Sequence, residues 1–419
     1  CAGHARNGAS DERPFTPTWH GAFAFASAWA LGEWLRGTVL TGFPWLASGY
    51  AQVDGPLAGF AAIAGVYGVG WMLALIAALV VETLYKLYTD RGRGASAALP
   101  AVLALLLIAS GIALMGVTWT LPANAPLTVR ILQGNVKQEM KFDETGVREA
   151  TALYQKMITE RPADLIVTPE TAIPMLPQQF PASFARAVRE FSDATDSSLL
   201  LGAFGATIEP DGRIADVTNS VYGITPGSGE LYRYDKHHLV PFGEFVPWGF
   251  HWFVRMLNIP LGDLGRGKPV QQPFMVRNQP IAADICYEDI FGEEIARSLR
   301  DASVPAGVLV NSTNLAWFGD TIALDQHLQI ARMRSLETGR PMLRATNTGA
   351  TAAIDAHGRV MARLPAFTVG SLDVSVQGTS GRTPYVTSGN NLVLAVSLVL
   401  LAFGFAFGPG RVSGRKNPR

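Results

Sequence analysis

Three residues in this 419-residue chain have types and settings suited to covalent catalysis: a glutamate, a lysine and a cysteine. Cys286 closes the apolar run Ile281-Ala-Ala-Asp-Ile-Cys286, which reads as a buried strand, and opens Tyr287-Glu-Asp-Ile-Phe-Gly-Glu-Glu294, which reads as the start of a helix. A thiol at such an elbow sits at a strand's carboxyl end beside a helix amino terminus, whose partial positive charge favours the thiolate. Glu170 ends a second buried run, Leu165-Ile-Val-Thr-Pro-Glu170. Lys236 lies in Tyr232-Arg-Tyr-Asp-Lys-His-His-Leu-Val-Pro-Phe-Gly-Glu-Phe-Val-Pro247, where ionisable groups and turn residues concentrate. Singly, each has a plainer reading, because free cysteine is often a small core residue and loop glutamates and lysines are ordinarily solvated. Together they supply a nucleophile, a base for its proton and a cation for an oxyanion.

These residues must be positioned by the block between about 121 and 391. Strand-like apolar runs at 127–133, 165–168, 199–204, 217–224, 281–286, 308–311, 342–346 and 351–354 alternate there with longer mixed stretches, among them 184–191. Helical patterns fall at 144–160, 292–300 and 321–338. Strands alternating with helices imply a layered α/β fold, and about 270 residues suffice for one well-packed domain. There is no internal repeat, low-complexity tract or long linker.

Outside that block the chain is apolar. The whole is 48% hydrophobic and 16% charged, and four stretches, 18–35, 56–81, 98–119 and 392–407, have the composition to cross a bilayer. A span needs roughly 20 apolar residues. Glu33 and Arg36 close the first stretch, where pairing lowers the cost of burial and a functional site just inside the interface is one reading. The segment 86–93 and the tail 411–419 are short and basic, which places both in the cytoplasm and the intervening block outside it. The expected division is therefore 1–121 (about three spans), 122–390 (an extracytoplasmic catalytic domain) and 391–419 (a last span with a basic tail). Lys plus Arg and Asp plus Glu both total 34, so net charge points to no nucleic-acid or polyanion partner. The chain starts with Cys1 and has no signal-peptide layout, so it reads as an amino-terminally truncated piece, with Cys1 unpaired to Cys286. The stretch 246–261, with Trp248 and Trp252 among few charges, fits either a core segment or an interfacial lid over an apolar substrate.

Other signals carry less. His237, His238, His251 and His327 lack ligand spacing, so neither a metal nor another cofactor is expected. Gly262-Asp-Leu-Gly-Arg-Gly-Lys-Pro269 lacks phosphate-loop spacing and the Ser or Thr after Lys, and reads as a turn. No Gly-x-Ser-x-Gly elbow offers a serine nucleophile.

Thr168-Pro-Glu170, the Lys236 segment with Glu244, and Ile285-Cys-Tyr-Glu288 resemble the Glu-Lys-Cys triad of the nitrilase superfamily. With the apolar stretches, the resemblance narrows to its membrane branch, the apolipoprotein N-acyltransferases. Gln133-Gly-Asn135, Asn314-Leu-Ala-Trp-Phe-Gly319, Gln326-His-Leu-Gln-Ile-Ala-Arg-Met-Arg334 and Arg344-Ala-Thr-Asn-Thr-Gly349 extend it, as do Glu33-Trp-Leu-Arg36 and Gly42-Phe-Pro-Trp45. Phe142 stands where some members have Trp, and Leu315 where many have Asp. The resemblance implies a nitrilase-like α-β-β-α sandwich beside transmembrane helices in a bacterial inner membrane, with the catalytic domain periplasmic. It implies acyl transfer from a phospholipid, through a thioester on Cys286, to the α-amine of a diacylglyceryl apolipoprotein. Glu170 would be the base and Lys236 the oxyanion partner; Glu244, Tyr287 and Glu288 would support them. Phe142, Trp248, Trp252, Glu33 and Arg36 are candidates for contacting substrate or forming a lid. A membrane-tethered amidohydrolase using the same triad and a non-enzymatic membrane scaffold are the alternative readings.

Overall fold

A computed structural model describes residues 18–89, 95–140, 143–209, 211–249 and 263–407. Helices α1 (Trp19–Thr38), α2 (Ala61–Thr89) and α3 (Ala95–Leu114) come first. The helix α1 begins at Thr18, whose hydroxyl accepts the Gly21 N–H, a standard amino-terminal cap. The first apolar stretch is therefore helical, although it is not among the segments apolar enough to cross a membrane. The second runs past its expected end to Thr89, and the third stops at Leu114, because the turn 115–119 redirects the chain into a strand. Among the described residues, two helical segments, Ala58–Thr89 and Ser96–Leu114, are long and apolar enough to cross a membrane; Asn391–Gly404 is a shorter apolar helix.

Two six-stranded sheets follow, built alike. The first has the order β13-β2-β3-β4-β5-β6, from β2 (Leu127–Gln133), β3 (Leu165–Val167), β4 (Ser198–Ile208), β5 (Ile214–Ile224), β6 (Leu231–Asp235) and β13 (Gly370–Val376). The second has the order β12-β11-β10-β9-β8-β7, from β7 (Phe274–Val276), β8 (Gln279–Ile285), β9 (Val308–Thr313), β10 (Met342–Thr346), β11 (Ala352–Ile354) and β12 (Val360–Arg363). Each has a parallel centre with antiparallel flanks. The central strands β3 and β9 are buried along their whole length, as strands covered on both faces must be. Val129, Leu165, Val167 and Leu200 of one sheet pack on Ile281, Ile285, Val308 and Val310 of the other. Each fully buried aliphatic side chain contributes about 1.5–3 kcal/mol.

The outer faces are covered by helices. Helices α4 (Glu144–Thr159) and α5 (Ala182–Thr195) pack on the first sheet through Tyr154, Ile158, Phe184 and Val188. The stretch 184–191 is thus part of a helix. On the second sheet, α6 (Gly292–Asp301) and α7 (Ala323–Thr338) contribute Ile295, Leu299, Leu328 and Ala331. The layering is α-β-β-α. Strands β1 (Thr120–Pro122) and β14 (Thr379–Gly381) pair where the chain enters and leaves this sandwich, next to the short α8 (Pro384–Ser388) and the final α9 (Asn391–Phe407).

The apolar helices and the sandwich share one core. Tyr287, Ile290 and Phe291, with Ile330 and Met333 of α7, pack with Tyr50, Val66 and Tyr67 from the amino-terminal part. Near its start α2 breaks at Gly65 (φ 65°), where an added Cβ would lie 2.3 Å from the Tyr385 ring. The Val66 N–H next to the break donates to the buried Glu337 carboxylate at 2.8 Å.

Gly202 in β4 shows how tightly the sandwich holds the Glu170 elbow. An added Cβ there would lie 2.0 Å from the Pro169 carbonyl oxygen. Gly202→Ala is expected to cost about 1–3 kcal/mol by overpacking, read as a lowered thermal midpoint. Gly32→Ala, in the interior of α1 with nothing within 4 Å of its methyl, should leave the midpoint unchanged or raise it slightly, as alanine does in a helix.

Candidate active site

Both sheets present strand carboxyl ends at one end of the sandwich, and the chemically promising residues follow them. Glu170 comes after β3, Lys236 directly after β6, Cys286 directly after β8 and Asn314 directly after β9. The two sheets are joined there, with the Ser312 hydroxyl donating to the Thr168 carbonyl at 3.1 Å. Both elbows have left-handed backbone: Thr171 after Glu170 at φ 45° and Cys286 itself at φ 52°. Such residues cost of order 1–3 kcal/mol and persist only where the surroundings fix them.

The segment after Cys286 departs from the expected helix start. Residues Cys286–Ile290 form a single 3-10 turn, and the α-helix begins only at Gly292. The reason is Glu288, whose carboxylate folds back to accept the Ile285 N–H at 2.7 Å. The sulfur thus lies a full turn ahead of the helix amino terminus and gains little from its dipole. Burial, then the Glu170 charge, push the half-buried thiol up to about 12, against the lowering effects of Lys236, the Thr313 hydroxyl and the Asn314 amide. Cys286 rests as a thiol and needs a base.

Glu170, whose charge acts on the thiol, is the candidate for it. Its Oε1 accepts from Asn219 Nδ2 at 2.6 Å and from Lys236 Nζ at 3.3 Å. The Oε2 atom accepts the Asn314 N–H at 2.9 Å. The Lys236 ammonium is 1% exposed and also meets both Glu244 oxygens, at 3.0 and 2.9 Å. Burial alone would favour the neutral amine, but Glu170 and Glu244, aided by Cys286, outweigh it and hold Lys236 above the usual lysine range. Lys236 therefore stays a cation, and its charge acts on the Cys286 thiol. Asn219 ties the carboxylates together, its Nδ2 also donating to Glu244 Oε1 at 2.8 Å.

Glu288 braces the two halves of the site. Besides Ile285, it accepts the N–H groups of His237 and His238 at 2.7 and 3.1 Å and the Tyr234 hydroxyl at 3.0 Å. Burial pushes its carboxyl up to about 7. Tyr287 points the other way and donates its hydroxyl to the Gly42 carbonyl at 3.0 Å. His238 stacks on Phe291 with centroids 3.6 Å apart, and its Nε2 lies 3.1 Å from the Thr41 carbonyl. The Gly42-Phe-Pro-Trp45 loop is thereby pinned beside the cysteine elbow.

The remaining sequence candidates lie elsewhere. Glu33 accepts from the Ser48 N–H and hydroxyl at 2.7 and 3.1 Å and lies 3.9 Å from Arg36. It serves the amino-terminal loop, not the triad. Trp248 is 96% exposed. Phe142, Trp252, His251 and most of 246–261 lie outside the described residues. Among the described residues, no group of three or more His, Cys, Asp or Glu side chains is arranged to hold a metal.

Sequence reasoning missed Asn219 and the backbone of Asn314. A polar Asn within the apolar strand Val217-Thr-Asn-Ser-Val was the available signal for the first. It also missed a buried ionic cluster behind the turn. Arg344 donates to Asp289 Oδ2 at 2.7 Å and meets His327 Nδ1 at 2.6 Å. Arg334 donates to the Asp289 and Ile290 carbonyls at 3.3 and 3.2 Å and pairs with Glu337 at 2.8 Å. These residues account for two motifs, Gln326 to Arg334 and Arg344 to Gly349, that had no assigned role.

Comparison with known proteins places this geometry among relatives. Residues 112–385 match the carbon-nitrogen hydrolase family model, and residues 6–79 match that of the apolipoprotein N-acyltransferase amino-terminal domain. An apolipoprotein N-acyltransferase of Ralstonia nicotianae is 56% identical over 382 residues, which is 91% of this chain and 71% of the relative. One from Bordetella bronchiseptica is 47% identical over 408 residues, 92% of this chain and 73% of the relative. The crystal structure of an amidase from Nesterenkonia sp. aligns with 66% of this chain and 98% of its own at 16% identity and a TM-score of 0.44.

The Glu170–Cys286 coupling is open to test in a Cys1→Ser background, where Cys286 is the one thiol. The pH profile of its alkylation should lie far above that of an ordinary cysteine. Glu170→Gln removes a charge that disfavours the thiolate, so the profile should move to lower pH. Turnover should nevertheless fall by about 10²–10⁴, the usual contribution of a general base. An unmoved alkylation profile would show that the two groups do not interact.

Proposed function

The chain belongs to the apolipoprotein N-acyltransferase family, and from that premise we propose that its reaction runs through a thioester on Cys286 in the site just described. The observation that carries this reading is the buried Lys236 ammonium, held between Glu170 and Glu244 and electrostatically coupled to the thiol. Glu170 takes the Cys286 proton as the sulfur attacks an ester carbonyl of a phospholipid. The carbonyl oxygen becomes an oxyanion beside Lys236, whose positive charge stabilises it without reorganisation. Collapse breaks the ester C–O bond, and the departing alkoxide takes the proton from Glu170. The products are an acyl thioester and a lysophospholipid.

The second half reuses the same groups. The α-amine of a diacylglyceryl cysteine attacks the thioester carbonyl and gives up a proton to Glu170. The C–S bond breaks, the sulfur recovers the proton, and the acceptor leaves as an amide. Glu244 fixes Lys236, and Glu288 fixes the spacing between the Lys236 segment and the cysteine turn. Neither needs to touch substrate.

Membrane placement accords with substrates that never leave a bilayer. The outward faces of the apolar helices carry Phe25, Trp29, Leu105, Leu106 and Val399, all 45–67% exposed, an apolar belt of the kind that marks a membrane or partner surface. We place 1–121 and 391–419 in and around a bacterial inner membrane as several spans, and 122–390 on its periplasmic side. The basic segments at 86–93 and 411–419 support that orientation. Trp248, near the end of the described part of the 246–261 stretch, is 96% exposed, which suits an aromatic at such a surface.

Intact-mass spectrometry tests the chemistry directly. Purified protein exposed to phospholipid should gain the mass of one fatty acyl chain, and Cys286→Ala should gain none. Adding a diacylglyceryl-cysteine peptide should discharge the adduct into an N-acyl peptide. Release of free fatty acid alone would make the protein a hydrolase.

A further inference from the structure

A second cavity, of about 100 Å³, lies where α2, α3 and the sandwich meet, and none of the triad residues lines it. Its walls come from two chemically different sources. Ala58, Ala62 and Met115 supply an apolar side from the membrane helices, and His357 and Arg359 come from the turn between β11 and β12. Trp119, in the segment that leaves α3, completes it.

Three observations give this cavity a ligand preference. The Trp119 indole N–H is buried and has no hydrogen-bond partner among the described residues. A buried donor left unpaired is costly, and a ligand acceptor would recover that cost. The carboxylates nearest in sequence and contact are already engaged: Asp54 with Arg332, and Asp355 with the N–H groups of His357 and Arg359 in its own turn. Among the described residues the Arg359 side chain has no ion-pair partner. Finally, the turn is fixed against the membrane part of the molecule, because Arg332 donates to the Gly358 carbonyl at 2.7 Å and pairs with Asp54. A Cβ at Gly358 would lie 2.8 Å from Leu336, so the turn packs closely on α7.

We propose that this cavity binds the headgroup of an anionic phospholipid that is not the acyl donor. The phosphate would sit against Arg359, His357 and the Trp119 N–H, with the acyl chains running down the exposed faces of α2 and α3 beside Met115 and Ile112. Tryptophan is enriched at membrane interfaces, and an anionic headgroup supplies both the countercharge for Arg359 and the acceptor for Trp119 that the cavity lacks. The inference rests on the membrane placement proposed above, with the end of α3 at the outer interface, and is independent of the chemistry at Cys286.

Native mass spectrometry of the full chain, released from detergent containing phosphatidylglycerol or phosphatidylcholine, tests it. One phosphatidylglycerol should be retained in preference to phosphatidylcholine. Arg359→Gln should reduce that retention about fivefold, the worth of one interfacial cation. Trp119→Phe, which keeps the ring and deletes the N–H, should reduce it as well. An excess of inorganic phosphate should not displace the lipid. Acyl-adduct formation at Cys286, followed in the same samples, should be unchanged in both variants. Equal retention by wild type and Arg359→Gln, or no preference for phosphatidylglycerol, would overturn the proposal; displacement by phosphate would make this an anion site and not a lipid site. Loss of the Cys286 adduct in the wild type would sink the thioester mechanism and leave the lipid site standing.

Discussion

The interaction on which the site depends is the burial of one ammonium between two carboxylates. Removing a charge from water costs several kcal/mol per ion even after relaxation, and only close, well-oriented counter-charges offset it. Lys236 is therefore held charged by Glu170 and Glu244 together, and losing either one weakens that hold. Asn219 and the Asn314 N–H satisfy the oxygens that Lys236 does not use alone. The requirement brings the ends of β3, β6 and β9 to one point. It also keeps the lysine charged and leaves the neighbouring thiol protonated, the resting state that a base-assisted attack starts from.

From this centre the constraints run outward. Glu288 is the joint between the Lys236 segment and the cysteine turn, and it also explains why that turn is tight. Tyr287 and His238 carry the geometry to the Thr41–Gly42 backbone of the amino-terminal apolar part. Arg334 and Glu337 carry it to the break in α2, where the Val66 N–H would otherwise be an orphan in an apolar interior. Breaking a buried pair of this kind is expected to cost about 3–5 kcal/mol, because the remaining charge is left uncompensated. The apolar helices and the catalytic sandwich accordingly behave as one packed unit at the elbow, with Tyr50 and Tyr67 in the same core as Tyr287 and Phe291.

What the sequence made legible follows the physics of burial. Strands β2, β3, β9 and β10, covered on both faces, read as near-continuous apolar runs, as does the end of β8, and the ends of β3 and β8 located Glu170 and Cys286. Strand β6, Leu-Tyr-Arg-Tyr-Asp, is a half-exposed edge strand without such a run, so Lys236 was found by its company of ionisable residues and not by a strand end. The strands β12 and β13 face solvent in part and were missed for the same reason. The helix expected after Cys286 failed because a side chain, Glu288, competes with the backbone ladder, and sequence periodicity does not register that competition. Asn219 escaped because its role exists only once two distant carboxylates have been brought together.

The central claim is that the Lys236 charge stabilises the oxyanion, and single-turnover acylation of a charge-balanced variant tests it most directly. Lys236→Met alone would leave two buried carboxylates unpaired, so it is combined with Glu244→Gln. The double variant should fold with a thermal midpoint near that of the Glu244→Gln protein. Its rate of thioester formation at Cys286 should fall by about 10²–10³, the loss typical of deleting one oxyanion partner. Acylation within about tenfold of the Glu244→Gln rate, roughly 1.4 kcal/mol of barrier, would contradict the claim and leave Lys236 a purely structural cation.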